Sequence, residues 1–409
     1  SPEWNDLLVR GDWKGAYDRL YATNNFPEVT GRICPAPCEH SCVLNINQEP
    51  VTIRENEVAI TEKAFAEGYI KPNPPRTRTG KKVAVIGSGP AGMAAADLLT
   101  KAGHTVTLFE KDDKAGGLLR FGIPDFKLTK AVIDRRLKLM TEEGLTIRTG
   151  VMIGRDISAR EITDSFDAVC IAIGSGHPRD LQVEGRNLRG IHFAVDYLAS
   201  QNRVNSGQIH ISDNPISAEG LRVVVLGGGD TGSDCVGTAI RQKAASVTQI
   251  EILPKPPVFR TPDNPWPFYG KTLKNSTSHE EGVERIWSLS TRRFTGENGI
   301  VRGIEVEDVI WEKTNGSYTM KPVRDTIQVK EADLVLLALG FVHPVIEGLV
   351  SELGLELNER QNIRTNGSCL TSVNKVFAAG DSVSGASLVV NAIASGRKAA
   401  KEIDKFLKG

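Results

Sequence analysis

The sequence has no excess of charge of either sign. Its 50 Lys and Arg residues balance its 50 Asp and Glu residues, so the formal net charge is zero. A nucleic-acid-binding domain normally presents a basic surface, and a surface of the same kind binds anionic membranes. The composition therefore argues against nucleic acid and membrane as partners.

Long hydrophobic runs are also lacking. The most apolar stretches, such as 334–341, are much shorter than the roughly 20 residues that span a bilayer. No basic segment followed by an apolar one opens the sequence, and we find no tandem repeat or low-complexity tract. We therefore expect a cytoplasmic globular protein, whose 409 residues predict two or three domains.

Cysteine is scarce, and three of the six cysteines occupy nine positions within "GRICPAPCEHSCVLNI", residues 31–46. Cys34, Cys38 and Cys42 have the spacing C-x3-C-x3-C, and prolines between the first two exclude a regular helix there. A disulfide framework is not expected in a long chain of this kind. Two readings stay open: a zinc site with His40 as fourth ligand, and iron–sulfur ligation by thiolates.

The pattern along the chain changes at residue 71. Helical periodicity covers 2–30 and 54–70, and the proline-rich basic stretch 71–82 predicts a linker. Beyond it, apolar strands alternate with helices, which predicts an α/β fold with parallel sheets covered on both faces.

The segment 81–111 has the order strand, glycine turn, helix, strand. Gly87, Gly89 and Gly92 form G-x-G-x-x-G directly after the strand, and Glu110 ends the second strand. The first glycine permits the tight turn, the second lets the backbone approach a pyrophosphate, and the third lets the helix pack on the strand. A carboxylate at the strand end binds ribose hydroxyls, so the segment predicts a dinucleotide site.

A second unit of the same order covers 221–252. Gly227, Gly229 and Gly232 repeat the spacing, and Glu251 corresponds to the first unit's terminal acid. An acid at this position favours the free ribose 2′-hydroxyl of NAD(H). Lys255 and Arg260 would instead suit a 2′-phosphate, and the residues alone leave this choice open.

Several segments together resemble a known family. These are 23–46, 81–99, "AGGLLRFGIPDFKL" at 115–128, "VVVLGGGDTGSDCV" at 223–236 and "AAGDSVSGASLVVNAIASGRKAA" at 378–400. They are similar to the small (beta) subunit of NADPH-dependent glutamate synthase and to the electron-input module of dihydropyrimidine dehydrogenase. "RTPDNPWPF" and "SHEEG" favour the glutamate synthase branch.

The resemblance implies two dinucleotide-binding (Rossmann-like) domains, the FAD domain interrupted by the NAD(P) domain, after a small α-helical iron–sulfur domain. The expected boundaries are 1–75 for the iron–sulfur domain, 76–205 with 345–409 for FAD, and 206–344 for NAD(P)H. "IAIGSG" and "LLALGF" would be the strands at which the chain crosses between the two larger domains.

The resemblance also implies which residues bind cofactors. The FAD residues would be Gly87, Gly89, Pro90, Ala91, Gly92, Glu110, Lys111, Gly117, Leu118, Gly174, Gly380 and Asp381. The nicotinamide nucleotide, for which the family favours NADPH, would meet Gly227, Gly229, Asp230, Thr231, Gly232, Lys255 and Arg260.

For the cysteine segment the resemblance implies [4Fe-4S] clusters. Cys34 and Cys38 would bind one cluster together with Glu57, and Cys42 would bind another. Relatives complete these clusters with a second cysteine group, which would precede "PEWNDLL". That group is not in this sequence, so these residues form an incomplete ligand set.

The function implied is transfer of electrons from NADPH through FAD and iron–sulfur clusters to a large (alpha) glutamate synthase subunit, with the nicotinamide and flavin rings face to face. The alternatives are a stand-alone NAD(P)H oxidoreductase for a ferredoxin-like acceptor and a non-catalytic nucleotide-binding scaffold subunit. Since cofactors carry hydride transfer, we assign no catalytic side chain.

Overall fold

The computed structural model describes residues 2–314 and 317–409 and divides the chain into two compact units. The first unit takes residues up to 120, 125–177 and 341–409, and the second takes 121–124 and 178–340. The chain leaves the first unit after His177, directly after the first segment expected at a crossing, and returns at Phe341, the last residue of the second.

Five helices open the first unit: α1 (Pro2–Val9), α2 (Trp13–Tyr21), α3 (Pro27–Ile33), α4 (Pro37–His40) and α5 (Ile53–Ala66). The Asp12 carboxylate caps α2 by accepting a hydrogen bond from the Gly15 N–H at 2.8 Å. Apolar residues at helical spacing, among them Leu20, Ile60 and Trp4, form a small core between these helices. As the sequence predicts, 71–81 has no helix or strand.

The next elements build a parallel sheet with flanking helices: β1 (Lys82–Ile86), α6 (Pro90–Lys101), β2 (Thr105–Phe109), α7 (Leu118–Phe121), α8 (Lys130–Glu142), β3 (Thr146–Arg148), α9 (Ala159–Ser165) and β4 (Ala168–Ile171). The two central strands β1 and β4 are apolar nearly throughout because helices cover both faces of such a sheet.

The second unit contains β5 (His177–Pro178, shared with the first), β6 (Ile191–Phe193), α10 (Ala194–Asn205), β7 (Arg222–Leu226), α11 (Asp230–Arg241), β8 (Ser246–Glu251), α12 (Thr277–Glu280), β9 (Glu284–Trp287), β10 (Leu289–Glu297), β11 (Ile300–Thr314), β12 (Ser317–Pro322), β13 (Gln328–Glu331) and β14 (Leu334–Leu337). Its parallel sheet has the order β6-β14-β7-β8-β9, and β10 to β13 form an antiparallel sheet that the sequence did not suggest.

The C-terminal elements complete the first unit: β15 (Phe341–His343), α13 (Leu349–Glu352), β16 (Val376–Ala378), α14 (Asp381–Ser384) and α15 (Val389–Lys408). β16 pairs with β4 and gives the first parallel sheet the order β16-β4-β1-β2-β3. Gly396 lets α15 lie directly against the backbone of Ala91 in α6, because any side chain there would overlap the Ala91 carbonyl.

Charged contacts hold the N-terminal helices to the rest of the first unit. The guanidinium of Arg136 on α8 donates to the Glu28 carboxylate of α3 at 2.6 Å, with 1% and 0% of the two side chains exposed. Glu62 on α5 accepts two hydrogen bonds from Arg135, at 2.9 and 2.7 Å. These pairs belong to one compact unit, so the helical segment is packed against the first sheet domain.

The units differ from the expected boundaries at three places. Residues 121–124 were expected in the FAD domain but lie in the second unit, and 341–344 were expected in the NAD(P)H domain but lie in the first. Residues 178–205 were expected in the FAD domain, but they lie in the second unit. The reason is that β6 pairs with β14 and α10 packs on α11 of the second sheet, contacts between residues distant in sequence. In the described part of the chain, every helix is too short or too polar to cross a lipid bilayer.

Candidate functional site

The first glycine turn joins β1 to α6. Gly87 has a φ of +100°, and a Cβ there would overlap the carbonyl oxygen of Ala172, so only glycine fits. A Cβ on Gly92 would overlap the Gly87 carbonyl, which explains the third glycine. At Gly89, in contrast, an added Cβ would meet no atom within 4 Å. Gly89 therefore faces open space at the N-terminus of α6, where a phosphate would bind.

The Glu110 carboxylate is fixed beside this turn by a two-point clamp. One oxygen accepts hydrogen bonds from the backbone N–H of Ser88 at 3.0 Å and from the Ser88 hydroxyl, and the other accepts from the Asp112 N–H at 3.0 Å. Glu110 is 4% exposed. The Ser88 hydroxyl also accepts from the Gly116 N–H at 2.8 Å, which ties the following loop to the turn.

The other residues expected at this site lie in the same unit. Pro90 and Ala91 open α6, and Leu118 opens α7 with its side chain exposed. A Cβ on Gly117 would lie 2.9 Å from the Gly89 Cα, so these two glycines bring their backbones together. Lys111 is exposed and forms an ion pair with Asp112 at 3.5 Å.

The C-terminal turn contributes the remaining positions. Gly380 ends the turn after β16 with a φ of 73°, and its N–H donates to the Ser395 hydroxyl at 2.8 Å. Asp381 is the first residue of α14 and accepts from the Ser387 hydroxyl at 2.8 Å, and burial raises the pKa of its carboxyl. Gly174, with a φ of +69°, would meet no atom if it carried a Cβ.

The second turn repeats the first. Gly227 has a φ of +120° and a Cβ there would overlap the Ala338 carbonyl, whereas a Cβ on Gly229 would meet nothing within 4 Å. Gly232 packs against the carbonyl of Gly227. Asp230 opens α11, so Thr231 lies in its first turn.

Glu251 has the same kind of clamp as Glu110. Its Oε2 accepts from the Gly228 N–H at 2.7 Å and its Oε1 accepts from the Leu253 N–H at 2.9 Å. One of the two hydrogen bonds that fix the acid at the end of β8 therefore comes from the glycine turn itself.

A relay of side chains that the sequence did not predict supports the second turn. The buried Gln249 amide donates to the Gly227 carbonyl at 2.9 Å, and its oxygen lies 3.0 Å from His279 Nε2. His279 Nδ1 accepts from the Ser276 N–H at 3.1 Å, so the Nε2 carries the proton and donates to Gln249. The motif "SHEEG" thus fixes the first glycine of the turn, through contacts that only the fold creates.

Lys255 and Arg260 have different surroundings. The Lys255 ammonium lies over the Trp287 ring, 5.0 Å from its centroid, and Arg285 lies over the same ring at 4.9 Å. Arg260 donates to the Phe268 carbonyl at 2.7 Å and so braces its own loop. A pocket lined by Gly228, Gln249, Glu251, Arg285, Ile286 and Trp287 lies beside the clamp. Arg285 and Trp287 escaped the sequence analysis because no motif marks them.

In the cysteine segment, the Glu57 carboxylate acts electrostatically on two of the other expected ligands, the Cys34 and Cys38 thiols. Burial raises the pKa values of the Cys34 and Cys38 thiols, and the nearby Glu57 carboxylate raises both of them further. Burial also raises the pKa of Glu57, which accepts a hydrogen bond from the Thr30 hydroxyl at 2.8 Å.

Cys42 has a separate environment. Backbone N–H groups of Val51 and Leu44 hydrogen-bond its sulfur and lower the pKa of the thiol.

The zinc reading finds no support in the geometry. Within 2–314 and 317–409, no three or more His, Cys, Asp and Glu side chains are grouped as ligands of a single metal ion. An iron–sulfur cluster differs from a zinc site because its thiolates bind different iron atoms, so its ligands need not converge on a single ion.

Two family models match this chain, one over the nucleotide-binding part and one over the N-terminal helical segment. Residues 81–396 match the family model "Pyridine nucleotide-disulphide oxidoreductase", and 1–69 match "Dihydropyrimidine dehydrogenase domain II, 4Fe-4S cluster". The glutamate synthase [NADPH] small chain of Mycobacterium tuberculosis H37Rv is 50% identical over 411 residues, covering 100% of this chain and 83% of that protein. This chain belongs to the glutamate synthase small-chain family.

Other members of the family show the same likeness. The small chain of Bacillus subtilis is 44% identical, covering 100% of this chain and 84% of that protein. The glutamate synthase [NADH] of Schizosaccharomyces pombe is 46% identical over 99% of this chain, which corresponds to 20% of that longer protein.

Solved structures show the fold of the nucleotide-binding part. FprA of M. tuberculosis in complex with NADPH has a TM-score of 0.62 at 17% identity, covering 80% of this chain and 85% of that one. Thioredoxin reductase of T. acidophilum has a TM-score of 0.56 at 21% identity, covering 80% and 100%.

Proposed function

We propose that this chain is the NADPH-oxidising flavoprotein subunit of a glutamate synthase. It passes electrons from NADPH through FAD and iron–sulfur clusters to a large subunit that makes L-glutamate from 2-oxoglutarate and L-glutamine. The observation that carries the proposal is the duplicated glycine turn. This chain has two such turns, open at Gly89 and at Gly229, and a carboxylate is hydrogen-bonded to the backbone of each.

The residues of the first unit fit FAD. The turn at Gly89 leaves room for a pyrophosphate against the N-terminus of α6, and Glu110 is fixed where it would accept hydrogen bonds from ribose hydroxyls. Asp381, partly buried at the C-terminal turn, would hold a further polar part of the cofactor. The second unit offers the matching open turn at Gly229 to the nicotinamide nucleotide.

When bound, the flavin accepts a hydride and releases electrons singly, and iron–sulfur clusters conduct single electrons. The role of the protein is to bind the cofactors, to orient them and to exclude water from them. The clamps fix both carboxylates before any nucleotide arrives, so little side-chain freedom is lost on binding. No acid or base side chain is assigned to the reaction.

The cysteine segment fits cluster ligation in part. The Glu57 carboxylate raises the pKa values of the Cys34 and Cys38 thiols, and the N–H donors around Cys42 favour its thiolate. Backbone N–H groups directed at sulfur also help to set the potential of such clusters. The remaining ligands would come from a second cysteine group, as the family resemblance implies.

We place the protein in the cytoplasm. Cys34, Cys38, Cys170, Cys235 and Cys369 are free thiols. Free thiols in this number fit a reducing compartment.

Anaerobic titration of the purified protein with NADPH tests the proposal. We expect flavin and iron in the protein, bleaching of the flavin absorbance by NADPH, and glutamate formation once the large subunit is added. Colourless protein that ignores NADPH would support the scaffold alternative. Bleaching without association with a large subunit, but with rapid reduction of ferredoxin, would support the stand-alone oxidoreductase.

A further inference from the structure

A segment of four residues between two helices of the first unit belongs to the second unit. The chain leaves the first unit after Arg120 and returns to it at Asp125, so that residues 121–124 count with the second. We call these four residues the strap. They lie within the motif "AGGLLRFGIPDFKL", and none of them is among the cofactor residues that the family resemblance implies. The strap gives the units two chain connections in addition to those at His177 and Phe341.

The side chain of Asn202 on α10 holds the strap within the second unit. Its Nδ2 donates to the carbonyl oxygens of Phe121 and Ile123, each at 3.0 Å. Both hydrogens of the amide are thus used, and Asn202 is 3% exposed. The next residue, Arg203, places its guanidinium over the buried Phe121 ring, 4.5 Å from the centroid. Two consecutive residues of α10 therefore hold the strap, one by its backbone and one by its side chain.

The two ends of the strap are fixed in the first unit. Before the strap, the buried Arg120 donates from Nε to the Ala115 carbonyl at 2.5 Å and forms an ion pair with Asp134 of α8. After the strap, the Asp125 carboxylate accepts from the Lys130 backbone N–H at 3.3 Å and lies 3.7 Å from the Lys130 ammonium. Four residues span at most roughly 14 Å even when fully extended. A strap held at both ends and in its middle therefore has little slack.

This arrangement bears on the transfer of electrons from NADPH to FAD. The helix that leads into the strap begins at Leu118, directly after Gly117, whose backbone lies against that of Gly89 in the turn expected to bind FAD. The nicotinamide nucleotide is expected at the Gly229 turn of the second unit. Hydride transfer requires reacting atoms about 3–3.5 Å apart, and a misplacement of about 1 Å can cost roughly 100-fold in rate.

We propose that Asn202 is a positioning residue for this step. By holding the strap, it limits how far the second unit carries its nicotinamide nucleotide away from the flavin of the first. The proposal rests on the proposed function for the presence of both nucleotides. Loss of the two donated hydrogen bonds should slow flavin reduction at saturating NADPH. It should not weaken the binding of FAD or NADPH, because neither glycine turn includes strap residues.

Asn202→Asp tests the proposal, because it keeps the shape of the side chain but replaces the NH2 donor by an oxygen that repels both carbonyls. Asn205→Asp is the matched control, the same substitution at an exposed position of the same helix. The Asn205 side-chain oxygen accepts from Gln201 at 2.7 Å, and a carboxylate oxygen accepts the same bond. If Asn202→Asp fails to fold, Arg203→Met takes its place as a milder variant, since it removes only the charge over the Phe121 ring.

Two measurements are made on the FAD-loaded proteins. Hydrogen–deuterium exchange with mass spectrometry reports on the strap itself, and we expect exchange in residues 118–126 to be about tenfold faster in Asn202→Asp. Anaerobic stopped-flow reduction by NADPH gives the limiting rate separately from the dissociation constant. The limiting rate should fall about 10- to 100-fold, with the dissociation constant changed by less than about threefold. Asn205→Asp should match the wild type in both measurements.

Several results would overturn the proposal. One is unaltered exchange in the strap of Asn202→Asp, and another is faster exchange with a limiting rate equal to that of the wild type. A raised dissociation constant for NADPH with an unaltered limiting rate would also overturn it, because Asn202 would then serve nucleotide binding. None of these results would touch the proposed function, which fails instead if NADPH leaves the flavin of the wild-type protein oxidised.

Discussion

Replacing the second glycine of each turn by alanine separates the two nucleotide sites. Gly89 has φ and ψ of −65° and −179°, and Gly229 has −80° and −175°, values that any residue adopts. An added Cβ would meet no atom within 4 Å at either position. The loss of chain entropy that Gly→Ala avoids, about 0.4–1 kcal/mol, is comparable to the cost of alanine at a helix N-cap. We therefore expect the free energy of unfolding to change by less than about 1 kcal/mol.

Nucleotide binding should change much more. The methyl group would occupy the space through which a pyrophosphate approaches the backbone, at the cost of at least one hydrogen bond to a charged group, about 1.5–3 kcal/mol. That range corresponds to a roughly 10- to 150-fold rise in the dissociation constant. Gly89→Ala should lose FAD, whereas Gly229→Ala should keep FAD and raise the KM for NADPH.

Each variant is the control for the other. Flavin retained per protein after gel filtration measures the first site, and the NADPH dependence of anaerobic flavin reduction measures the second. Thermal unfolding of the cofactor-free proteins checks the fold. If Gly89→Ala kept FAD with unaltered affinity, or if both variants lost FAD equally, the reasoning from the open space at these glycines would be refuted.

Three further outcomes follow from buried or clamped groups. Glu28→Gln should destabilise the protein by about 3–5 kcal/mol, because Arg136 would be left buried without a counter-charge, and the double variant Glu28→Leu, Arg136→Met should recover most of the lost melting temperature. Gln249→Leu should raise the KM for NADPH without lowering flavin content, because the carbonyl at the start of the second turn loses its donor. Arg222 lowers the pKa of Asp333 to about 2, below its unfolded value near 4. The stability this gives is present above about pH 4 and lost as the pH falls towards 2, so acid unfolding of Asp333→Asn should be less steep over that range.

The likeness of the two turns has a physical basis. In each, a positive-φ glycine lies under the carbonyl of the residue that follows a neighbouring strand of the sheet, Ala172 in one unit and Ala338 in the other. In each, the acid at the end of the next strand accepts from the N–H of the residue between the first two glycines. Both turns therefore use the same backbone arrangement to let a polyanion reach the N-terminus of a helix.

Several features could be predicted from sequence because they depend on neighbours along the chain. The order of strand, glycine turn, helix and terminal acid is local, and it placed Gly89, Glu110, Gly229 and Glu251 correctly with respect to their elements. The proline-rich linker is local as well. Hydrophobic periodicity and the stereochemistry of glycine and proline are sufficient to predict these features, whereas the crossing segments were expected only from the family resemblance.

Other features depend on pairs of residues that only the folded chain brings together. Gln249 and His279 meet beneath the second turn, and Arg285 and Trp287 reach the Glu251 pocket from a strand 30 or more residues away. Residues 178–205 join the second unit because β6 pairs with β14, more than 130 residues later. A strand's partner and the side chains beside it are set by packing over the whole domain, so one stretch of sequence cannot specify them.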